Sequence, residues 1–301
     1  MINIAILIYV NIKTYLGNIF RRNTITKYPG LFRPQSGIFL TGDGLRKNSD
    51  HIFDETRSFH PSKVKKNDTV FLRTDLKNIY FHTIHSKIKE PYILISHNSD
   101  MSVEDQDLEF VDEKIIHWFT TCLNTNISDN VSPIPIGFEN RRFMNNGRLK
   151  NLKKFNKEFN HKENNILASF NQHTNFHLRK KLINQIKVNS KIKIDMYEDH
   201  FSYMSALKSF NFSICPEGNG LDTHRVWESI LVNTIPIVSK NILFTKFYDM
   251  GVPIILLDNL LELKNLTIGD LNMQTPRIKE NFNKKFIYLD YWLNFINSKK
   301  S

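Results

Sequence analysis

Short apolar runs that end in polar, turn-forming residues and give way to helical patterns recur along this chain, and that alternation constrains it to an α/β sheet with parallel strands. In the first half the runs are "TVFLRT" (69–74), "PYILIS" (91–96), "KIIHWFTTCL" (114–123) and "SPIPIG" (132–137). In the second half they are "NILASF" (165–170), "IKIDMY" (192–197), "NFSICP" (211–216), "TIPIVS" (234–239) and "VPIILLD" (252–258). The opening "INIAILIYV" is interrupted at Asn11 and Lys13, short of the ~20 residues needed to span a bilayer. A buried strand is expected there, with a short signal-like segment as the alternative. Between the halves, "ENRRFMNNGRLKNLKKFNKEFNHKENN" (139–165) is polar, charged and nearly free of β-branched residues. It marks a linker or surface helix and a domain boundary near residue 150. Two α/β domains joined in this way enclose a cleft, and ligands of such sheets sit beyond the carboxyl ends of the strands.

Composition narrows the partners. The 301 residues carry 41 Lys and Arg against 30 Asp and Glu, a formal charge of +11. That balance favours acidic partners: nucleic acid, anionic lipid or a phosphorylated small molecule. Much of the charge lies in solvated lysine-rich segments, and no array of aromatics interleaved with arginine marks a nucleic-acid surface, so no nucleic-acid partner is expected. Cys122 and Cys215 are far apart and lack a metal-ligand pattern. Neither a disulfide scaffold nor a metal site is implied, and the reducing cytoplasm fits best.

The stretch "CPEGNGLDTHRVWESILVNTIPIV" (215–238) concentrates the chemistry. After the apolar "FSIC", the loop Gly218-Asn219-Gly220 lets backbone N–H groups approach a ligand. Asp222 or Thr223 is placed to cap the helix that follows, and Val226, Trp227, Ile230 and Leu231 recur at helical spacing as its buried face. His224 and Arg225 stand at that helix start, where cations are disfavoured unless an anion is bound between them. Arg225 and Glu228 lie one turn apart on the other face, so a plain surface ion pair is the alternative.

This run resembles the donor-binding segment of exostosin-like glycosyltransferases, in the smaller viral and microbial type. A strand with "CP.G" leads there to a basic residue, an acidic one three positions on, and a "G.IPV" strand. Cys215, Pro216, Gly218, Arg225, Glu228 and "TIPIV" occupy those places, with Asn233 where glycine is usual. "LISHNSD" (94–100), "PIPIGFENR" (133–141) and "SFNQHTNFHLR" (169–179) are similar to further segments of that family. The resemblance implies an α/β fold of two Rossmann-like domains facing a cleft, the GT-B type. Residues 1–150 are then the acceptor domain, 151–275 the nucleotide-sugar domain, and 276–301 a terminal helix returning to the first domain.

It further implies that Arg225 and the helix N-terminus hold the donor diphosphate, and that Glu228 accepts hydrogen bonds from the ribose hydroxyls. Thr223, His224, Asn171, Thr174 and Arg179 would line the same donor site, Arg179 as a second phosphate contact or as a solvated basic helix start. No Asp-x-Asp pair is expected to follow a strand, which fits transfer without a metal or other cofactor.

An inverting transfer needs a general base at a strand's carboxyl end in the first domain. Asp100 is the first candidate, Asp75 the second, and His97 a third; each is alternatively a turn former. Glu139 either lines the cleft or caps a helix. In the tail, Phe286, Leu289, Trp292, Leu293 and Ile296 fall near helical spacing, as for a helix packed on the core. Peripheral membrane contact helped by flanking lysines is the weaker alternative. The function expected is transfer from a UDP-sugar to a glycan, glycolipid or glycoprotein acceptor, in the cytoplasm or at its membrane surface. A non-catalytic nucleotide-sugar or glycan-binding module is the runner-up, and a basic nucleic-acid-binding protein a third class.

Overall fold

The computed structural model describes residues 33–143, 146–156, 162–280 and 282–300. The "INIAILIYV" run lies outside the described residues. The chain divides into two compact units, one running to Gly147 and including Leu289–Ser301, the other Arg148–Tyr288. The segment 276–288, expected to return with the terminal helix, stays with the second unit. No helix among the described residues is long and apolar enough to cross a membrane.

Unit 1 is built on β1 (His51–Phe53), β2 (Thr69–Arg73), β3 (Tyr92–His97), β5 (Ile115–Thr120) and β7 (Val131–Pro133), all parallel and in that order. A short parallel pair, β4 (Val103–Glu104) with β6 (Leu123–Asn124), stands apart. Every residue of β3 is buried, as a central strand covered on both faces requires. Helices α1 (Gly42–Lys47) and α2 (Lys77–Thr83) belong to this unit, together with the returning terminal helix α10 (Leu289–Asn297). That helix buries Leu289, Trp292 and Ile296, ties in through Leu289 N donating to Ile38 O at 2.9 Å, and sets Phe295 edge-on to Phe119.

Unit 2 comprises α3 (Leu149–Phe155), β8 (Glu163–Ala168), α4 (Phe176–Ile186), β9 (Ile192–Ile194), α5 (His200–Leu207), β10 (Phe210–Ile214), α6 (His224–Leu231), β11 (Ile235–Ser239), α7 (Ile242–Asp249), β12 (Ile255–Leu257), α8 (Ile268–Met273) and α9 (Pro276–Glu280). Its strands are all parallel in the order β12-β11-β10-β8-β9. The chain therefore leaves β8 toward β9 and then winds the other way from β10. In sheets of this kind the ligand crevice lies where the direction reverses, which here is beyond the carboxyl ends of β8 and β10. Each unit is thus a Rossmann-like α/β layer with its own core, and Ile166, Phe212, Ile214, Ile237 and Leu182 lie in that of unit 2.

Asn233, which departs from the glycine of the resembled pattern, adopts φ +61°. Asn233 N donates to Ile230 O at 3.1 Å and Thr234 N to Ser229 O at 2.9 Å. These two bonds close α6 with a Schellman motif, whose left-handed position asparagine tolerates nearly as well as glycine. The same helix end is held by lysines. Lys284 Nζ donates to Leu231 O at 2.7 Å, and Lys162 Nζ reaches Val232 O, Phe210 O and Lys208 O at 3.1 Å and Thr234 Oγ1 at 3.0 Å. Lys162→Met strips these acceptors of their donor, and is expected to lower unfolding free energy by about 1–3 kcal/mol in a denaturant titration. An unchanged midpoint would show that water replaces the ammonium at no cost.

Candidate functional site

At the strand reversal of unit 2 three segments converge: Ser169–Asn171 after β8, Cys215–Gly220 after β10, and the start of α6. The loop turns through Gly218 N donating to Gly220 O at 3.1 Å. A Cβ on Gly218 would touch Arg179 Nη2 at 3.4 Å and Thr174 Cγ2 at 3.7 Å, so Gly218, Thr174 and Arg179 are neighbours here. Asn219 is exposed at the tip and Gly220 is buried. Thr223 is the N-cap of α6 in extended conformation, yet its side chain makes no cap bond. Its hydroxyl is buried with no hydrogen-bond partner among the described residues. Asp222, the other capping candidate, spends its carboxylate on Thr223 N at 2.7 Å and on the buried Trp227 indole N–H at 3.0 Å.

Arg179 is not a solvated helix start. It is 4% exposed and donates from Nε to Glu217 O at 2.8 Å, from Nη1 to Asn171 O at 2.9 Å, and from Nη2 to Pro216 O at 3.1 Å. Arg225, half-buried, donates from Nε to Ser169 O at 2.6 Å, and its guanidinium carbon lies 5.9 Å from the centre of the Tyr203 ring. Burial, and then the neighbouring charge of Arg225, pull Arg179 down to about 10. Neither guanidinium has a carboxylate at ion-pair distance among the described residues. Two cations are therefore held together by neutral carbonyls at a helix N-terminus, an arrangement whose missing charge is negative.

The alternative of a surface pair between Arg225 and Glu228 is excluded. Glu228 is 6% exposed, and its Oε1 lies 2.8 Å from His200 Nε2 on α5. Burial pushes the Glu228 carboxyl up, but the His200 hydrogen bond and the charges of His200, His224 and Arg225 outweigh it and hold the group below the usual range. The carboxylate is thus kept ionised inside the protein. His224 is half-buried at the first helical position, and Asn171 is exposed, with its carbonyl on Arg179. Burial raises the Cys215 thiol to about 11, so it packs and does not react. His200 and Tyr203 escaped the sequence reasoning; the signal that could have found them is Asp199, whose side chain accepts from Ser202 N at 2.7 Å and starts their helix.

The carboxyl ends of the unit 1 strands carry a second polar cluster. Arg33 pairs with Asp43 at 3.5 Å, with Asp54 at 3.4 Å, and with Glu55; Arg46 pairs with Asp54 at 2.5 Å. Arg73 pairs with Glu55 at 3.3 Å and Asp75 at 2.8 Å, and Arg142 with Asp43 at 3.4 Å and Glu55 at 3.5 Å. Four arginines thus meet four carboxylates, and Asn98 and Asn140 clasp Asp43 from the side. A Cβ on Gly42 would collide with the Asn98 side chain and the His97 ring, so only glycine fits there. This knot draws together "GDG" (42–44), "HNSD" (97–100) and "ENRR" (139–142), the first of which the sequence reasoning passed over.

The three base candidates fare differently. His97 is 1% exposed; its Nδ1 accepts from Asn98 N at 2.7 Å and its Nε2 donates to Pro135 O at 3.0 Å, so both nitrogens are committed and it cannot take up a proton as the base. Asp100 is exposed and makes no hydrogen bond or ion pair among the described residues. Asp75 is held by Arg73; burial pushes its carboxyl up, Arg73 pulls it back, Glu55 pushes it up again, and the net position is above the ordinary value. Glu139 accepts from Asn146 N at 3.0 Å and closes a turn. The Asp-x-Asp triplet 105–107 directly follows β4, a strand absent from the sequence expectation. Its Asp107 accepts from Lys77 Nζ at 2.6 Å and from Glu104 N at 2.8 Å, and no group of three or more His, Cys, Asp or Glu that could hold a metal occurs among the described residues.

No family model matches the sequence, and no curated protein matches it. Among solved structures, the chain is similar to a GtfA/B complex, with 10% identity and a TM-score of 0.40 over 79% of this chain and 58% of that one. A pneumococcal O-GlcNAc transferase GtfA bound to UDP and GlcNAc is similar at 10% identity and a TM-score of 0.38, with the same coverage. The chain thus spans less than two thirds of either neighbour.

Proposed function

We propose that this protein is a glycosyltransferase of the exostosin-like, GT-B type that moves a sugar from a UDP-sugar to a glycan acceptor, with inversion and without a metal. The observation that carries the proposal is the pair Arg179 and Arg225, which among the described residues have no carboxylate at ion-pair distance at the strand reversal of unit 2. A diphosphate supplies the missing charge. Arg225 presents its remaining N–H groups, Arg179 keeps two of its five after the three carbonyl bonds, and the Thr223 hydroxyl and the α6 N-terminus complete the cradle. The buried, ionised Glu228, one of whose oxygens is held by His200, offers its other oxygen to the ribose hydroxyls. The leaving nucleoside diphosphate gains negative charge in the transition state, where preplaced guanidinium groups and helix dipoles stabilise it. Unit 1 supplies the acceptor side, and Asp75, with its raised carboxyl and its arginine partner, takes the proton of the attacking hydroxyl ahead of Asp100.

The test is a panel of nucleotide sugars and acceptor oligosaccharides assayed with EDTA. Transfer is expected to persist, because the positive field comes from arginine and backbone dipoles. Complete loss on chelation, restored by manganese, would contradict the metal-free assignment, and inertness toward every nucleotide sugar would contradict the enzyme.

A further inference from the structure

His200 opens α5, and with a carboxylate oxygen 2.8 Å from Nε2 that nitrogen must carry the proton and donate it. Both side chains are nearly sealed, at 4% and 7% exposure. One turn further on, Tyr203 is buried beneath the Arg225 guanidinium. Two residues three apart on α5 thus back two residues three apart on α6, and the second pair is the one the donor reading uses. A carboxylate that is to grip a diol must present its oxygens in one fixed plane, and a lone buried glutamate rotates about its last torsion. Fixing one oxygen settles where the other points.

We infer that His200 is a positioning residue, which anchors one oxygen of Glu228 so that the carboxylate is aimed at the ribose hydroxyls; the inference rests on the donor reading of this site. The titratable and charged groups facing Glu228 are His200 and Tyr203 from α5, His224 and Arg225 from its own helix, and Cys215 after β10. Removing the imidazole leaves the burial that favours the protonated acid and takes away the hydrogen bond and charge of His200 that oppose it. Protonation of Glu228 then moves to higher pH, and affinity for a ribose diol is lost earlier on acidification.

The experiment uses the full chain and its His200→Phe and His200→Gln variants, titrated with UDP and with inorganic pyrophosphate across a range of pH. His200→Phe is expected to weaken UDP about tenfold while pyrophosphate changes less than about twofold. The acid limb of UDP binding should shift to higher pH. His200→Gln keeps an N–H donor and should recover most of the UDP affinity. In a second arm that does not depend on how well phenylalanine packs, adding His200→Gln to Glu228→Gln should cost little beyond Glu228→Gln alone. Equal losses for UDP and pyrophosphate in folded protein, an unmoved acid limb, or additive losses in the double variant would overturn the assignment. Absence of UDP binding by the unaltered chain would instead overturn the donor reading, and this inference with it.

Discussion

Arg225→Ala is expected to weaken UDP binding by about 10- to 150-fold, the equivalent of one charge-assisted contact of about 1.5–3 kcal/mol, while the fold persists. The half-buried guanidinium holds one carbonyl, Ser169 O, and stands over the Tyr203 ring, so its loss frees a single acceptor at the crevice edge. Arg225→Lys keeps the charge but not the fork, and is expected to recover only part of the affinity. Arg179→Ala should behave differently. Three carbonyls of two loops lose their donor together, so the melting temperature falls along with the affinity. Calorimetry and thermal melts on the same preparations separate the two arginines. Unchanged UDP affinity in folded Arg225→Ala would show that this side chain only packs on Tyr203.

The second large effect is on turnover. Asp75→Asn is expected to lower it by about 10²- to 10⁴-fold, with donor affinity held within a few fold, because the base acts in the transition state and the donor site lies in the other unit. The pH profile carries an independent sign. Asp75 must be ionised to accept a proton, and its carboxyl sits above the ordinary value, so activity falls on acidification through that raised position. Arg73 lowers the group, so Arg73→Met moves the acid limb to still higher pH. Asp100→Asn is the parallel measurement. An exposed side chain with no partner among the described residues has little to lose in stability, so a large turnover loss there, with Asp75→Asn near full activity, would transfer the role of base to Asp100.

What the sequence made legible was whatever local periodicity or backbone chemistry dictates. The buried strands of both sheets appear as unbroken apolar runs because both faces are covered, and the Gly218 loop and the apolar stripe of α6 follow from one short stretch. What stayed hidden depends on partners distant in the chain. The strand β1, His51–Phe53, stands between Asp50 and Asp54, so no apolar run marks it in the sequence. Arg33, Asp43, Asp54 and Glu55, buried and scattered along the chain, and the half-buried Arg142 carry no local pattern, and they form one ion-pair knot only where the ends of β1, β2 and β3 come together. A surface pair with Arg225 was the alternative for Glu228 because it lies off the apolar stripe of its helix, but α5 covers that face and supplies His200. His97 stood at a strand's carboxyl end, where a base belongs, yet its neighbours use both of its ring nitrogens.

By this account unit 2 binds a nucleoside diphosphate through Arg179 and Arg225, neither of which forms an ion pair among the described residues. Titrating UDP into the full chain in EDTA, followed by calorimetry, tests it most directly. The expected result is saturable binding at one site per chain, weakened in Arg225→Ala by the factor given above and weakened less for uridine than for UDP by the same substitution. No heat with UDP or any other nucleoside diphosphate, or an equal loss for uridine and UDP, would contradict it.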